Sequence, residues 1–233
     1  MIVSIGEAYI KDNGIAGAAV ESSLEITRLG ASAMFAGAVS SDTYGTRILE
    51  YLVDNCIFFD PLFCNDEKPT WVEGSARADR ENSCIFSLDS EKLENTINMN
   101  TDARLVLPNS IAFTSPAVRD SVRAVIDGRP DMAVCLDLTA REQDEEVCRQ
   151  WAGISEIVIA DENTAETLRP YCKNVLVAAK PGFSSTAGIC IAADEALATA
   201  GEKAEDRAEA VARAVQALLK NGLNDCSILT CLP

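Results

Sequence analysis

Histidine is absent from this chain of 233 residues, so proton transfer falls to carboxylate, lysine, cysteine or tyrosine side chains. A Ser-His-Asp or Cys-His nucleophile and any histidine-ligated metal site are excluded on the same ground. Nine cysteines stand at positions 56, 64, 84, 135, 148, 172, 190, 226 and 231, with no C-x-x-C pair among them. An odd count in a chain of this length predicts reduced, mostly buried thiols rather than a disulfide framework. Among the charged side chains, Asp42 and Arg141 fall at the ends of predicted strands, where open α/β sheets bind ligands. A surface ion pair is the other reading of these two.

The elements that must position such groups follow from the hydrophobic pattern. Buried strands are predicted at Ile2 to Gly6, Ala33 to Val39, Arg104 to Leu107, Ile111 to Thr114, Met132 to Leu138, Glu156 to Ala160, Asn174 to Ala179 and Ala187 to Ala192. Helices are predicted over Ala16 to Leu29, Thr43 to Val53, Pro116 to Ile126, Glu142 to Trp151, from Ala160 to Leu168, and over Glu202 to Lys220. The Ala/Glu-rich stretch 196–214 reads as surface helix. Strands separated by helices imply right-handed crossovers and a mostly parallel sheet covered on both faces. Thr70 to Ala78 and Ser83 to Leu88, joined by Asp79-Arg80-Glu81-Asn82, read as an inserted hairpin.

Charge bounds the partners. The 20 basic and 36 acidic residues give a net charge of −16, which opposes binding to nucleic acid or to an anionic membrane surface. No apolar run approaches a membrane span, and Met1 to Gly6 lacks a basic n-region, so a soluble cytoplasmic protein is expected.

Several segments share an order. Gly6-Glu7 ends the first strand. Ala16-Gly17…Glu21 opens the first helix, and Arg28-Leu29-Gly30 closes it. Gly37…Asp42…Gly45 follows, then Pro69-Thr70, Leu136-Asp137-Leu138-Thr139-Ala140-Arg141, Asn163-Thr164-Ala165-Glu166, and Val175 to Ala179 with Gly182 and Gly188. In this order the chain resembles the PfkB/ribokinase family of carbohydrate kinases over nearly its whole length. The resemblance implies a single three-layer α/β/α ribokinase-like domain over residues 1–233. Its central sheet would be mostly parallel, with a reduced β-hairpin lid near 68–90. It also implies phosphoryl transfer from ATP, with Mg2+, to a sugar or related alcohol, and it leaves open a homodimer paired through the lids. By the same resemblance Asp12, Gly17, Glu21, Asp42 and Arg141 fall on the substrate side. Asn163, Glu166, Lys180 and Gly182 fall on the nucleotide side, and Asp206 takes the place of the catalytic base.

The chain departs from the family where phosphate and base should meet. In place of Gly-Ala-Gly-Asp stands Ala200-Gly201-Glu202-Lys203-Ala204-Glu205-Asp206. Acids at a helix start suit the helix dipole but repel a phosphate. The family's Gly-Gly-x-x-x-Asn is here Ala16-Gly17…Glu21, and its substrate Asp falls on Lys11, beside Asp12. Two readings therefore stand side by side: an ATP-dependent sugar kinase, and a non-catalytic relative serving as a ligand-binding or interaction module.

Overall fold

The computed structural model describes residues 1–75, 80–108, 112–138, 144–160, 162–172, 175–178, 189–193 and 196–199, together with Ala212 and Val215. Its contacts group the chain into two compact units, Met1–Met132 and Ala133–Pro233.

In the first unit the chain runs through β1 (Ile2–Ile5), β2 (Tyr9–Lys11), β3 (Gly14–Ala16), α1 (Ala18–Arg28), β4 (Ala33–Ala36), β5 (Val39–Ser40), α2 (Thr43–Asp54), β6 (Cys64–Asn65), α3 (Ser90–Met99), β7 (Leu105–Pro108) and α4 (Pro116–Gly128). Strand β1 is buried along its whole length, as a central parallel strand with both faces covered must be. It pairs in parallel with β4 on one side and β7 on the other. Helix α2 forms because Asp42 caps it and Ile48 and Leu52 recur on one face, both essentially without solvent exposure. Those two pack with Ala19, Val20, Phe35 and Val39 in one core cluster. Pro116 opens α4, where its missing N–H costs nothing, and Val118, Val122 and Val125 carry the buried stripe.

The second unit contains β8 (Ala133–Asp137), α5 (Glu145–Ala152), β9 (Ile157–Ala160), α6 (Glu162–Leu168), β10 (Val175–Ala178), β11 (Ile189–Ala193) and β12 (Ala196–Thr199). Strands β8, β9 and β10 pair in parallel, and β10, β11 and β12 antiparallel. Glu156 completes the start of the β8–β9 ladder with its side chain. Its Oε2 accepts the Val134 N–H at 2.5 Å, while its own N–H donates to the Val134 carbonyl at 3.0 Å.

Four expectations are corrected. Ser83 to Leu88 is not a strand: Cys84–Phe86 form a 3-10 turn. The Ser87 N–H donates to the Cys84 carbonyl at 2.8 Å, a three-residue closure that an extended strand does not allow. The described part of 68–90 is therefore no hairpin, and its one bridge in the strand sense is Val72 against Ile10. The hairpin lies earlier, in β2–β3, where Asp12 and Asn13 take positive φ (48° and 62°) in a two-residue turn. Ala112–Thr114 form a 3-10 turn instead of a strand. Ala196–Thr199 is strand β12, paired to β11 from Cys190 to Ala193, so helix does not begin there. Helix α3 was not expected at all. Of the helix predicted over Glu202 to Lys220, only Ala212 and Val215 lie within the described residues, both helical and buried.

Candidate functional site

The carboxyl end of β1 is where side chains converge in the first unit. Glu7 follows the strand and is 1% exposed. Hairpin β2–β3 leaves from that end and returns to it at Gly17, whose φ of +132° lets its backbone lie against Glu7. Helix α1 starts there. The Gly17 N–H donates to Glu21 Oε1 at 3.2 Å, so Glu21 reaches back over the helix start much as a capping-box acid does. The neighbouring strand end is drawn equally close: the Gly6 N–H donates to the Ala36 carbonyl at 3.2 Å.

A strap from Lys68 to Glu73 lies along the hairpin. Ile10 N–H donates to Trp71 O at 3.0 Å, and Glu73 N–H donates to Ile10 O at 2.8 Å. The Tyr9 and Trp71 rings stack 4.1 Å apart at 34°. Lys11 Nζ meets Glu73 Oε2 at 2.9 Å. Burial pushes the Tyr9 phenol up, and the Glu73, Glu7 and Glu21 carboxylates push it further against the opposing Lys11 charge. Tyr9 is thus a neutral hydrogen-bonding group in an acidic neighbourhood.

Asp42 secures the strap. Its Oδ1 accepts the Gly45 N–H at 2.7 Å and the Thr70 hydroxyl at 2.7 Å, and its Oδ2 accepts the Thr70 N–H at 2.8 Å. Burial pushes its carboxyl up, but the donors from Gly45 and Thr70 outweigh burial and carry it below its ordinary value of 3.8. Because the folded value is the lower one, the stabilisation is fully present above the unfolded value and is lost as pH falls through the folded one. Asp42→Asn should therefore lower the melting temperature at neutral pH. That deficit should shrink on acidification below about pH 4, as the native carboxyl also protonates. Parallel melting curves between pH 3 and 7 read this directly, and a deficit that stays constant throughout would show that the charge on Asp42 contributes nothing.

The structure thus gathers Gly17 and Glu21 at Glu7. Asp12 sits in the exposed turn of the hairpin, away from the buried Glu7 end. Asp42 holds protein donors on both oxygens. Arg141, Lys180, Gly182 and Asp206 lie outside the described residues. Asn163 and Glu166 are exposed on α6, one turn apart. Among the described residues no group of three or more cysteine, aspartate or glutamate side chains is placed to hold a metal ion. The described cysteines offer no ready nucleophile inside the core. Burial pushes the Cys84 thiol up to about 12 and the Cys148 thiol to about 11.

Sequence reasoning did not single out Tyr9 or Arg47, and did not assign Glu7 to the site. A signal for Glu7 was present: an acid directly after an all-apolar strand stands at the carboxyl edge of a sheet. Asp137 is its counterpart in the second unit, the last residue of β8 and 1% exposed.

The sequence matches no family model and no curated protein. Solved structures do resemble the chain. An uncharacterized sugar kinase from Pyrococcus horikoshii, also solved with ATP, superposes with a TM-score of 0.73 at 18% identity, covering 99% of this chain and 89% of that one. An aminoimidazole riboside kinase from Salmonella enterica gives 0.73 at 15% identity, with 98% and 88% covered. A fructokinase from Vibrio cholerae O395, solved with fructose, ADP and potassium ion, gives 0.73 at 15% identity, with 99% and 87% covered. The fold is the three-layer, mostly parallel ribokinase-like α/β fold that these sugar kinases share.

Proposed function

We propose that the chain is an ATP-dependent carbohydrate kinase of the PfkB type, transferring a phosphoryl group from ATP to a hydroxyl of a sugar or related alcohol. The observation that carries this reading is the fold likeness to solved sugar kinases across 98–99% of the chain. The site adds support. Glu7 and Glu21 stand where the hairpin meets the carboxyl end of β1, with Tyr9 on the hairpin in the field of Glu73, Glu7 and Glu21, and polar groups of that kind suit the directed hydrogen bonds of sugar hydroxyls. Their negative charge disfavours a sugar acid or sugar phosphate. In this reading Gly17 and Glu21 face the substrate and Asp42 supports the strap from behind. ATP and Mg2+ are proposed because neighbours in this fold are solved with them. The residues proposed for the nucleotide are Asn163, Glu166, Lys180 and Gly182, with Asp206 as the base. No helix among the described residues is long and apolar enough to cross a membrane, in keeping with a soluble, cytoplasmic enzyme.

A second reading is favoured by the acids Glu202, Glu205 and Asp206, which stand where the family has its Gly-Ala-Gly-Asp motif. A relative so altered would bind its ligand without turnover. Melting curves with ATP and with ADP, magnesium present, separate these readings when combined with a phosphoryl-transfer assay over neutral sugars. A nucleotide at a hundred times its Kd adds about 2.7 kcal/mol, which at this chain length raises the melting temperature by roughly 5–10 °C. A shift with turnover supports the kinase. A shift without turnover supports the ligand-binding relative. No shift with either nucleotide overturns the kinase reading.

A further inference from the structure

We infer that Asp42, the residue capping α2, and Arg47, in its second turn, form a double clasp that sets the position of hairpin β2–β3 and the strap at the end of β1. Both are positioning residues. The use of the clasp in ligand binding rests on the function proposed above; its existence does not.

The strap and hairpin form one patch, joined by the Ile10–Trp71 and Glu73–Ile10 backbone bonds, the Tyr9–Trp71 stack and the Lys11–Glu73 pair. A small patch of this kind is marginally stable by itself. Helix α2 holds it at two separate places. At the strap, Asp42 accepts both the amide and the hydroxyl of Thr70, a residue 1% exposed. At the hairpin turn, Arg47 Nη2 donates to the Asn13 carbonyl at 2.7 Å. The Arg47 guanidinium lies 6.0 Å from the Tyr44 ring centroid, which restrains it on the helix surface. Asn13, at φ 62°, turns its carbonyl to this donor within the two-residue turn. The grips are five residues apart on one helix, whose own start is pinned because Asp42 also caps it through Gly45. A patch held at two points by a rigid element cannot pivot about either. Displacement of the hairpin would move Tyr9 and Lys11 relative to Glu7, which ties the clasp to the site.

The test uses the full chain without ligand, so it stands whether or not the kinase reading does. Three variants are compared with the native protein: Arg47→Met, which keeps the aliphatic stem; Thr70→Val, which leaves the α2 cap intact; and the pair combined. Amide hydrogen exchange is followed at Ile10, Thr70 and Glu73, with the β1 amides as the internal reference. In a Trp151→Phe background, acrylamide quenching reports on Trp71 alone. The combined variant should exchange on the order of tenfold faster at Ile10 and Glu73 with β1 unchanged, and Trp71 should become more readily quenched. Arg47→Lys should restore much of the protection lost in Arg47→Met. Unchanged exchange at Ile10 and Glu73 in the combined variant would overturn the proposal. So would acceleration spread equally over β1, because α2 would then support the whole unit and not the patch.

Discussion

Replacing Gly45 with alanine is expected to lower stability by about 3 kcal/mol or more, which at this chain length is roughly 6–12 °C in melting temperature. The chain leaves β5 at Ser40, turns sharply at Asp42 and enters α2 with Gly45 lying directly on the strand it has just left. A Cβ there would stand 1.7 Å from the Ser40 carbonyl oxygen and 2.7 Å from its carbon. Both are main chain, so nothing flexible can swing aside. Relief requires moving the helix start off β5. That breaks the Gly45 N–H bond to Asp42 and with it the geometry by which Asp42 reaches Thr70. Gly153→Ala is the control, since its nearest neighbour is 3.5 Å away, and it should fall within about 0.5 kcal/mol of the native protein. Calorimetric melting of both variants decides the matter, and a Gly45→Ala protein as stable as the control would show the turn to be pliable.

Gly17→Ala should be comparably damaging, by about 3 kcal/mol or more, and its effect should centre on the site. Two penalties coincide. At φ +132° a side chain is strained whatever the space, and the added Cβ would meet the Glu7 carbonyl oxygen at 2.3 Å. The start of α1 must withdraw from the end of β1, carrying Glu21 with it, because the Glu21 N–H donates to Gly17 O at 2.9 Å. The variant should lose exchange protection first at Glu21 and should lose any melting shift produced by a sugar ligand. Retention of both, with native stability, would remove Gly17 from the proposed substrate side.

The helices and strands that were legible share one property: their signal is local. Val118, Val122 and Val125 repeat on a helical period, and Pro116 marks where that helix begins. Ile157 to Ala160 is a short apolar run that only a covered strand explains. Helix α3 escaped because its polar residues, Glu91, Lys92, Glu94, Asn95 and Asn98, mask two apolar anchors, Leu93 and Ile97, that are completely buried. Its cap was readable all the same: Asp89 accepts the Lys92 N–H at 3.0 Å. Thr96, which looks solvent-facing in sequence, is buried because its hydroxyl donates to Asp60 Oδ2 at 2.6 Å across 36 residues. The hairpin β2–β3 leaves no such signal because its strands are three residues each, too short to show alternation, and Asp12-Asn13 closes the turn with two residues.

From its residues alone the chain settled that no histidine chemistry operates, and that strand and helix alternate toward a parallel sheet, since composition and periodicity are properties of neighbours along the backbone. The tertiary structure decided what each candidate group touches. Asp42, read as a ligand to substrate, spends both oxygens on Gly45 and Thr70, the latter 28 residues away. Asp12 is a turn residue, and Glu7, which the sequence shows only as an acid after an apolar strand, is the buried acid at the strand end. Such pairings depend on which distant segments fold side by side, and no spacing along the chain encodes that distance in space.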